Sequence, residues 1–261
     1  MEDKNLIYEG KAKKLFSYKE DDKIIQYFKD DATAFNKKKH EIISEKGILN
    51  NFISEYIFKY LSDNGIPNHF IERISEREQL VKKVKIIPIE VIIRNIATGT
   101  LSKRLGIKEG LNLERPLIEF TLKNDELDDP IVSEEHLDIL GFSKKDEIKE
   151  MKDQSLKINF LLSDLFSSIN IELVDFKIEF GRVEENNKTN IILADEISPD
   201  SCRLWDKKSL EKLDKDRFRK NLGDLIPAYT EVAKRLGILH EQSNVSAVNV
   251  TRLSSVKKKR K

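Results

Sequence analysis

The chain has 261 residues, 39% hydrophobic and 36% charged, with a formal net charge of +1 and a single cysteine, Cys202. That length supports one large domain or two small ones with a sizeable core, and one cysteine excludes an intrachain disulfide. Without the five basic residues at 257–261 the rest carries 42 basic against 46 acidic side chains, a net of −4, which gives no reason to expect a nucleic-acid partner.

The opening segment lacks the apolar region of a signal peptide, and no apolar run approaches a membrane span. A cytoplasmic protein with no membrane partner is therefore expected. Residues 6–16, LIYEGKAKKLF, read as strand, tight turn and strand, Gly10 permitting a close backbone approach. Lys11 and Lys13 share a face if the chain is extended there. A glycine-hinged hairpin followed by lysines can cover nucleotide phosphates; an ordinary basic hairpin has the same pattern. Residues 23–28 give a third strand and 30–36 a loop. Apolar residues at 49, 52, 53, 56, 57 and 60 predict an amphipathic helix over 48–61, and 69–73 a short strand.

Residues 84–94, VKIIPIEVIIR, alternate strongly. Glu90, Ile92 and Arg94 share one face; Ile89, Val91 and Ile93 share the other. Pro88 marks an edge or a bulge, and 95–101 read as a loop around Gly99-Thr100. An arginine at a strand end followed by Gly-Thr can bind a phosphate monoester through the guanidinium fork, backbone N–H groups and a hydroxyl. An Arg94–Glu90 pair stabilising the strand is the alternative. A strand and an acidic turn follow over 117–129. Ser133 and Ser143 fit helix N-caps, Ser143 with Asp146 as a near capping box. Apolar residues at three-four spacing predict a core-facing helix over 144–169.

Residues 173–206 organise the rest. Asp175, Lys177 and Glu179 alternate with Val174, Phe176, Ile178 and Phe180, the pattern of a half-buried strand. Residues 184–190 read as a connecting loop, and 191–194 as a second, more buried strand that stops at Asp195-Glu196. If the two strands pair, Glu179 and Asp195 approach each other near the base of the hairpin. Two carboxylates there, with Lys177 alongside, suit a Mg²⁺–polyphosphate site, because Mg²⁺ is usually held by one or two carboxylates plus water and phosphate oxygens. A solvated strand face of alternating charge is the competing reading. A last helix spans 224–236 and stops at Gly237; from Gln242 a polar tail with a basic end follows. The four histidines show no metal-ligand spacing. The order of elements predicts an α+β fold with segregated helices and strands.

Several segments together resemble the phosphoribosylaminoimidazole-succinocarboxamide synthase (SAICAR synthetase) family: YEGKAKKLF, DDATAFN, IIPIEVIIRNIATGTL, KNDELDDP, LVDFKIEFG and LADEISPDSCRLWDKKSLEKLDKDRFR. Pro-x-Glu-x-x-x-Arg and Asp-Phe-Lys-x-Glu-Phe-Gly are the most specific. Thr100 stands where the family usually has serine and keeps the hydroxyl; the basic tail lies outside the family pattern. The resemblance implies an N-terminal lobe similar to the protein-kinase small lobe (1–84), an ATP-grasp-like lobe (85–240) and a tail (241–261), with the nucleotide between the lobes. It implies ATP-dependent ligation of L-aspartate to the carboxylate of 4-carboxy-5-aminoimidazole ribonucleotide, a small-molecule kinase of related fold being the alternative. Carried over residue by residue, Lys11, Lys13 and Lys123 contact the nucleotide, and Glu179 and Asp195 hold Mg²⁺ beside it. Glu90 lies near the reacting carboxylate and a further metal. Arg94, Thr100 and Arg203 cradle the ribotide 5′-phosphate, and Asp175 and Lys177 face the ribotide. Residues 198–200 and 214–219 are candidates for the aspartate pocket. A homodimer is an expectation from the family alone.

Overall fold

The computed structural model describes residues 4–34, 38–185 and 188–239; the predicted tail from Gln242 onward lies outside them. The first 84 residues build one sheet and one long helix. β1 (Leu6–Glu9), β2 (Lys13–Ser17) and β3 (Lys23–Phe28) form an antiparallel meander, which β7 (Glu78–Lys82) and β6 (Phe70–Arg73) extend in the order β1-β2-β3-β7-β6. The predicted loop at 30–36 contains a strand instead: β4 (Asp31–Ala34) pairs with β5 (Lys39–Ile42) in a small separate hairpin. Asp30 and Asp31 at its start read as a turn signal; Asp30 makes a bidentate pair with Arg77 (2.7 and 2.8 Å). The helix predicted over 48–61 is α1 (Lys46–Asp63), with Leu49, Ile53, Ile57, Phe58 and Leu61 in the core.

The second sheet positions the chemistry. β8 (Lys85–Ile96) lies between β9 (Asn112–Leu122) and β11 (Ile171–Glu185); β10 (Ile131–Val132) pairs with β9, and β12 (Lys188–Ala194) and β13 (Cys202–Asp206) pair with different halves of β11. All these pairings are antiparallel. Pro88 therefore sits in a central strand, and the bulge it called for is present: the β8–β11 register slips between Glu179 and Gly181. β13 was not predicted from the sequence. The hairpin of β11 and β12 is tighter than predicted, because regular pairing continues to Glu185 and Lys188 and takes up much of the expected 184–190 loop.

Helices cover one face of this sheet. After the 3-10 turn at Asp125–Leu127 come α3 (Glu134–Ile139) and α4 (Lys145–Ser168). Ser133 caps α3 as predicted, accepting the His136 N–H. Ser143 is not the cap of α4; Lys144 holds that position, and Ser143 donates to Glu147, not to Asp146. From α4, Ile148, Met151, Ile158, Leu162 and Phe166 join Ile89, Val91, Ile93, Ile178 and Phe180 in one core. One further correction concerns a loop: the turn around Gly99-Thr100 opens a helix, α2 (Gly99–Leu105). A short helix, α5 (Asp216–Arg219), precedes the last one. The last helix, α6 (Leu225–Arg235), ends before Gly237 and packs Tyr229, Val232 and Ala233 inward. No helix of the described residues is long and apolar enough to cross a membrane.

Candidate functional site

Strand register assembles the site on the sheet face away from α4. Residues directly opposite on neighbouring strands project to the same side. Glu179 faces Glu90, Asp175 faces Arg94, and Arg203 faces Asp175 on its other flank. Glu90 in turn faces Thr121, and Ile92 faces Glu119. One face thus carries Glu90, Arg94, Thr121, Asp175, Lys177, Glu179 and Arg203. The predicted half-buried strand is buried on both faces: Asp175 and Glu179 are 3% and 4% exposed. Their burial is sustained by ion pairing, the usual condition for charge in an interior.

An open cavity of about 540 Å³ lies over this face. At one end Arg94 and Arg203, from β8 and β13, converge on one oxygen of Asp175, at 2.8 and 2.7 Å. Arg94 also donates to Glu119 (2.7 Å) and to the Thr100 hydroxyl (3.1 Å). Gly99, at φ +57°, lies against Arg203: a Cβ there would come within 2.7 Å of Nη2. The three residues expected to cradle a phosphate are therefore in one place. The alternative Arg94–Glu90 pair is not formed, because Glu90 is tied to Lys177 and accepts the Thr121 hydroxyl at 3.0 Å.

Beside the cavity is a second cluster. Lys13, from β2 of the first sheet, reaches across to Asp195 and to Glu196 (3.0 Å) just beyond β12. Lys123, at the end of β9, donates to Glu179 at 2.6 Å. Asp195 is left-handed, at φ +62°, a conformation uncommon for residues other than glycine and often found at functional positions. Its carbonyl accepts from Gln26 of β3 at 3.1 Å. Burial alone would lower the pKa of Lys13 and of Lys177, but the surrounding carboxylates outweigh it and hold both above the ordinary lysine value. Burial, reinforced by Asp195, pushes Glu179 up against the pull of Lys123. Asp195 goes the other way: against its burial, Lys13 and Lys123 hold its carboxyl below the ordinary carboxylate range. The cluster is an alternation of cations and carboxylates joining both sheets.

Lys11 stands apart from it, pairing with Asp125 at 2.6 Å. In the segment 198–200, the Asp200 carboxylate is taken up by Lys46 of α1 (2.7 Å), Tyr229 of α6 (2.6 Å) and Lys215 (3.6 Å). These contacts bind two distant helices to one buried charge. From the segment 214–219, Arg219 reaches the cavity wall. Sequence reasoning missed Glu196, Glu119 and Thr121. Glu119 and Thr121 follow from extending the strand alternation of 117–122; Glu196 was visible beside Asp195 but lacked a reason to face Lys13.

Arginines converging over a cavity, next to a part-buried lysine–carboxylate cluster spanning two sheets, are the charged site of an enzyme. The family model for SAICAR synthetase matches residues 6–236, and the chain belongs to that family. It is 58% identical over 254 residues to the phosphoribosylaminoimidazole-succinocarboxamide synthase of Pelagibacter ubique, covering 97% of this chain and 98% of that one. Among solved structures, that of the synthase from Ehrlichia chaffeensis superposes with a TM-score of 0.88 at 52% identity, covering 90% of this chain and 100% of the other. A SAICAR synthetase (Type-2) in complex with ADP gives 0.84 at 47% identity, over 88% and 96%.

Proposed function

We propose that this chain joins L-aspartate to the carboxylate of 4-carboxy-5-aminoimidazole ribonucleotide at the expense of ATP, giving the succinocarboxamide, ADP and phosphate, in cytoplasmic de novo purine synthesis. The observation that carries this reading is the similarity to synthases of that name along nearly the whole chain; the convergence of Arg94, Arg203 and Thr100 supports assigning the 5′-phosphate to them. The first sheet, with Lys13 reaching the second, supports a kinase-like lobe over residues 1–84 and an ATP-grasp-like lobe over 85–240, the nucleotide between them. A homodimer belongs to the proposal on the family resemblance alone.

The ribotide carboxylate is a poor acyl donor at neutral pH. One of its oxygens attacks the γ-phosphorus of ATP and ADP leaves. The neutral amine of aspartate then attacks the acyl carbon of the resulting acyl phosphate. The amide forms as phosphate departs with the former carboxylate oxygen, and the nitrogen loses its proton. In this reading Arg94, Arg203 and Thr100 fix the ribotide by its phosphate, and Asp175 and Lys177 line the path between that end and the reacting carboxylate. Lys11, Lys13 and Lys123 offset nucleotide charge. Orientation and charge compensation are the main contributions a protein can make to such a transfer.

Magnesium fits the residues present. Among the described residues no three His, Cys, Asp or Glu side chains group into a metal cage, whereas Glu179 and Asp195 provide two neighbouring carboxylates, a usual protein share for Mg²⁺ on a nucleotide. Bound there, it would neutralise developing phosphate charge. Glu90, also proposed as a ligand, would have to release Lys177. The test is ADP release with the carboxylated ribotide, with and without aspartate. Release and succinocarboxamide formation that both require aspartate support a ligase. Steady ADP release with the ribotide and no aspartate effect would make it a small-molecule kinase.

A further inference from the structure

Arg203 is held from two sides. Its Nη1 donates to Asp175 in the cavity wall, and its Nε donates to Asp216, the first residue of α5, at 3.1 Å. Asp216 is 2% exposed and grips a second cavity arginine with its other oxygen: Arg219 Nη1 lies 2.8 Å from Oδ1. One buried carboxylate behind the cavity wall therefore holds two guanidinium groups that face it.

Asp216 is itself fixed. Its N–H donates to Asp214 Oδ1 at 2.7 Å, and the other oxygen of Asp214 accepts the N–H of Leu204, the residue after Arg203, at 2.8 Å. Asp214 is fully buried. It ties β13 to the start of α5, so the backbone that carries Arg203 and the carboxylate that aims it move as one unit. A free arginine side chain populates many rotamers, and ordering one on binding costs affinity. A guanidinium already clamped at Nε has less freedom to lose.

We infer that Asp216, seated by Asp214, is the positioning residue that presents Arg203 and Arg219 to the anionic end of the ribotide. The inference rests on the proposed reading of the cavity as the ribotide site. Asp175 is a different kind of partner, because it shares the cavity with the ligand. Asp216 does not line the cavity and meets it through the two arginines; its other cation, Lys220 at 3.7 Å, does not line the cavity either. Removing its charge should weaken the ribotide and spare the nucleotide, whose lysine–carboxylate cluster is built from other strands.

The test is calorimetric titration of the full chain with 4-carboxy-5-aminoimidazole ribonucleotide and, separately, with Mg-ATP, on the parent, Asp216→Asn, Arg203→Ala and the double variant. Asp216→Asn should raise the ribotide Kd about tenfold, the loss of one charge-assisted bond, with the Mg-ATP Kd unchanged. In the Arg203→Ala background the same change should cost clearly less, since part of its effect runs through Arg203. If Arg203→Ala weakens the ribotide and Asp216→Asn does not, the positioning role is wrong and the cavity reading stands. If Arg203→Ala leaves the ribotide untouched, the cavity reading fails and the inference with it. Full additivity, or equal weakening of both ligands, also overturns it. Should Asp216→Asn not fold, Asp214→Asn loosens the same turn and should give a smaller shift confined to the ribotide; no such shift would count against the role.

Discussion

Replacing Arg203 by alanine separates binding from folding with little ambiguity. Asp175 would keep Arg94 at 2.8 Å, and Asp216 would keep Arg219 at 2.8 Å. Neither buried carboxylate is left bare, so the large penalty of an orphaned interior charge is avoided and the protein should stay folded. The ligand loses directed, charge-assisted hydrogen bonds, each worth roughly 1.5–3 kcal/mol. That corresponds to about one to two decades in affinity. Calorimetry should therefore show the ribotide weakened by that amount and Mg-ATP nearly unaffected. The mirror experiment is Lys123→Ala, which should weaken Mg-ATP and spare the ribotide. Lys123→Ala strips the buried Glu179 of its partner, and Lys13→Ala strips Asp195 and the buried Glu196 of a shared one, so both combine lost binding with lost stability and need a melting curve beside the titration. An Arg203→Ala protein that bound ribotide normally but ATP poorly would invert the two pockets and refute the reasoning.

Two predictions concern stability. Gly47→Ala would place a Cβ 2.4 Å from the Phe28 carbonyl oxygen and 2.9 Å from that of Lys29. Backbone on both sides cannot yield easily, so a loss of about 1–3 kcal/mol is expected, read as a fall in Tm of several degrees; an unchanged Tm would show that α1 shifts freely against β3. Glu147 accepts from Arg182 at 2.6 and 2.7 Å. The Arg182 guanidinium, helped by the Lys144 N–H against partial burial, lowers its pKa from 4.5 to about 2. A depressed carboxylate stabilises the fold above its ordinary pKa, and that contribution is lost as pH falls from about 4.5 to about 2. Glu147→Gln should therefore be less stable than the parent at pH 6, with the gap closing by pH 2 in denaturant titrations; a gap independent of pH would remove the ion pair as its cause.

Much of this arrangement could be read from local pattern. The alternation in VDFKIEF placed Asp175, Lys177 and Glu179 on one face, and Pro88 marked a real bulge. Two short strands escaped: EQLVK and CRLWD are stabilised by long-range pairing with β3 and β11, which no short window contains. Gly99-Thr100 looked like a loop because glycine is a turn signal, yet here its φ of +57° starts a helix. At the site, residue types were legible and partners were not. The strand pattern offers Arg94 the partner Glu90, two positions along the same face. The structure gives it Glu119 and Asp175 from the flanking strands. Which carboxylate meets which cation was decided by strand order, a property of the whole chain.

The acyl-phosphate route itself can be followed by one isotope. Ribotide labelled with ¹⁸O in both carboxylate oxygens should be turned over with unlabelled ATP and aspartate, and the phosphate released analysed by mass. If a carboxylate oxygen attacks the γ-phosphorus and later departs with it, each phosphate carries one ¹⁸O and the amide product keeps one. Unlabelled phosphate alongside amide formation would contradict the account.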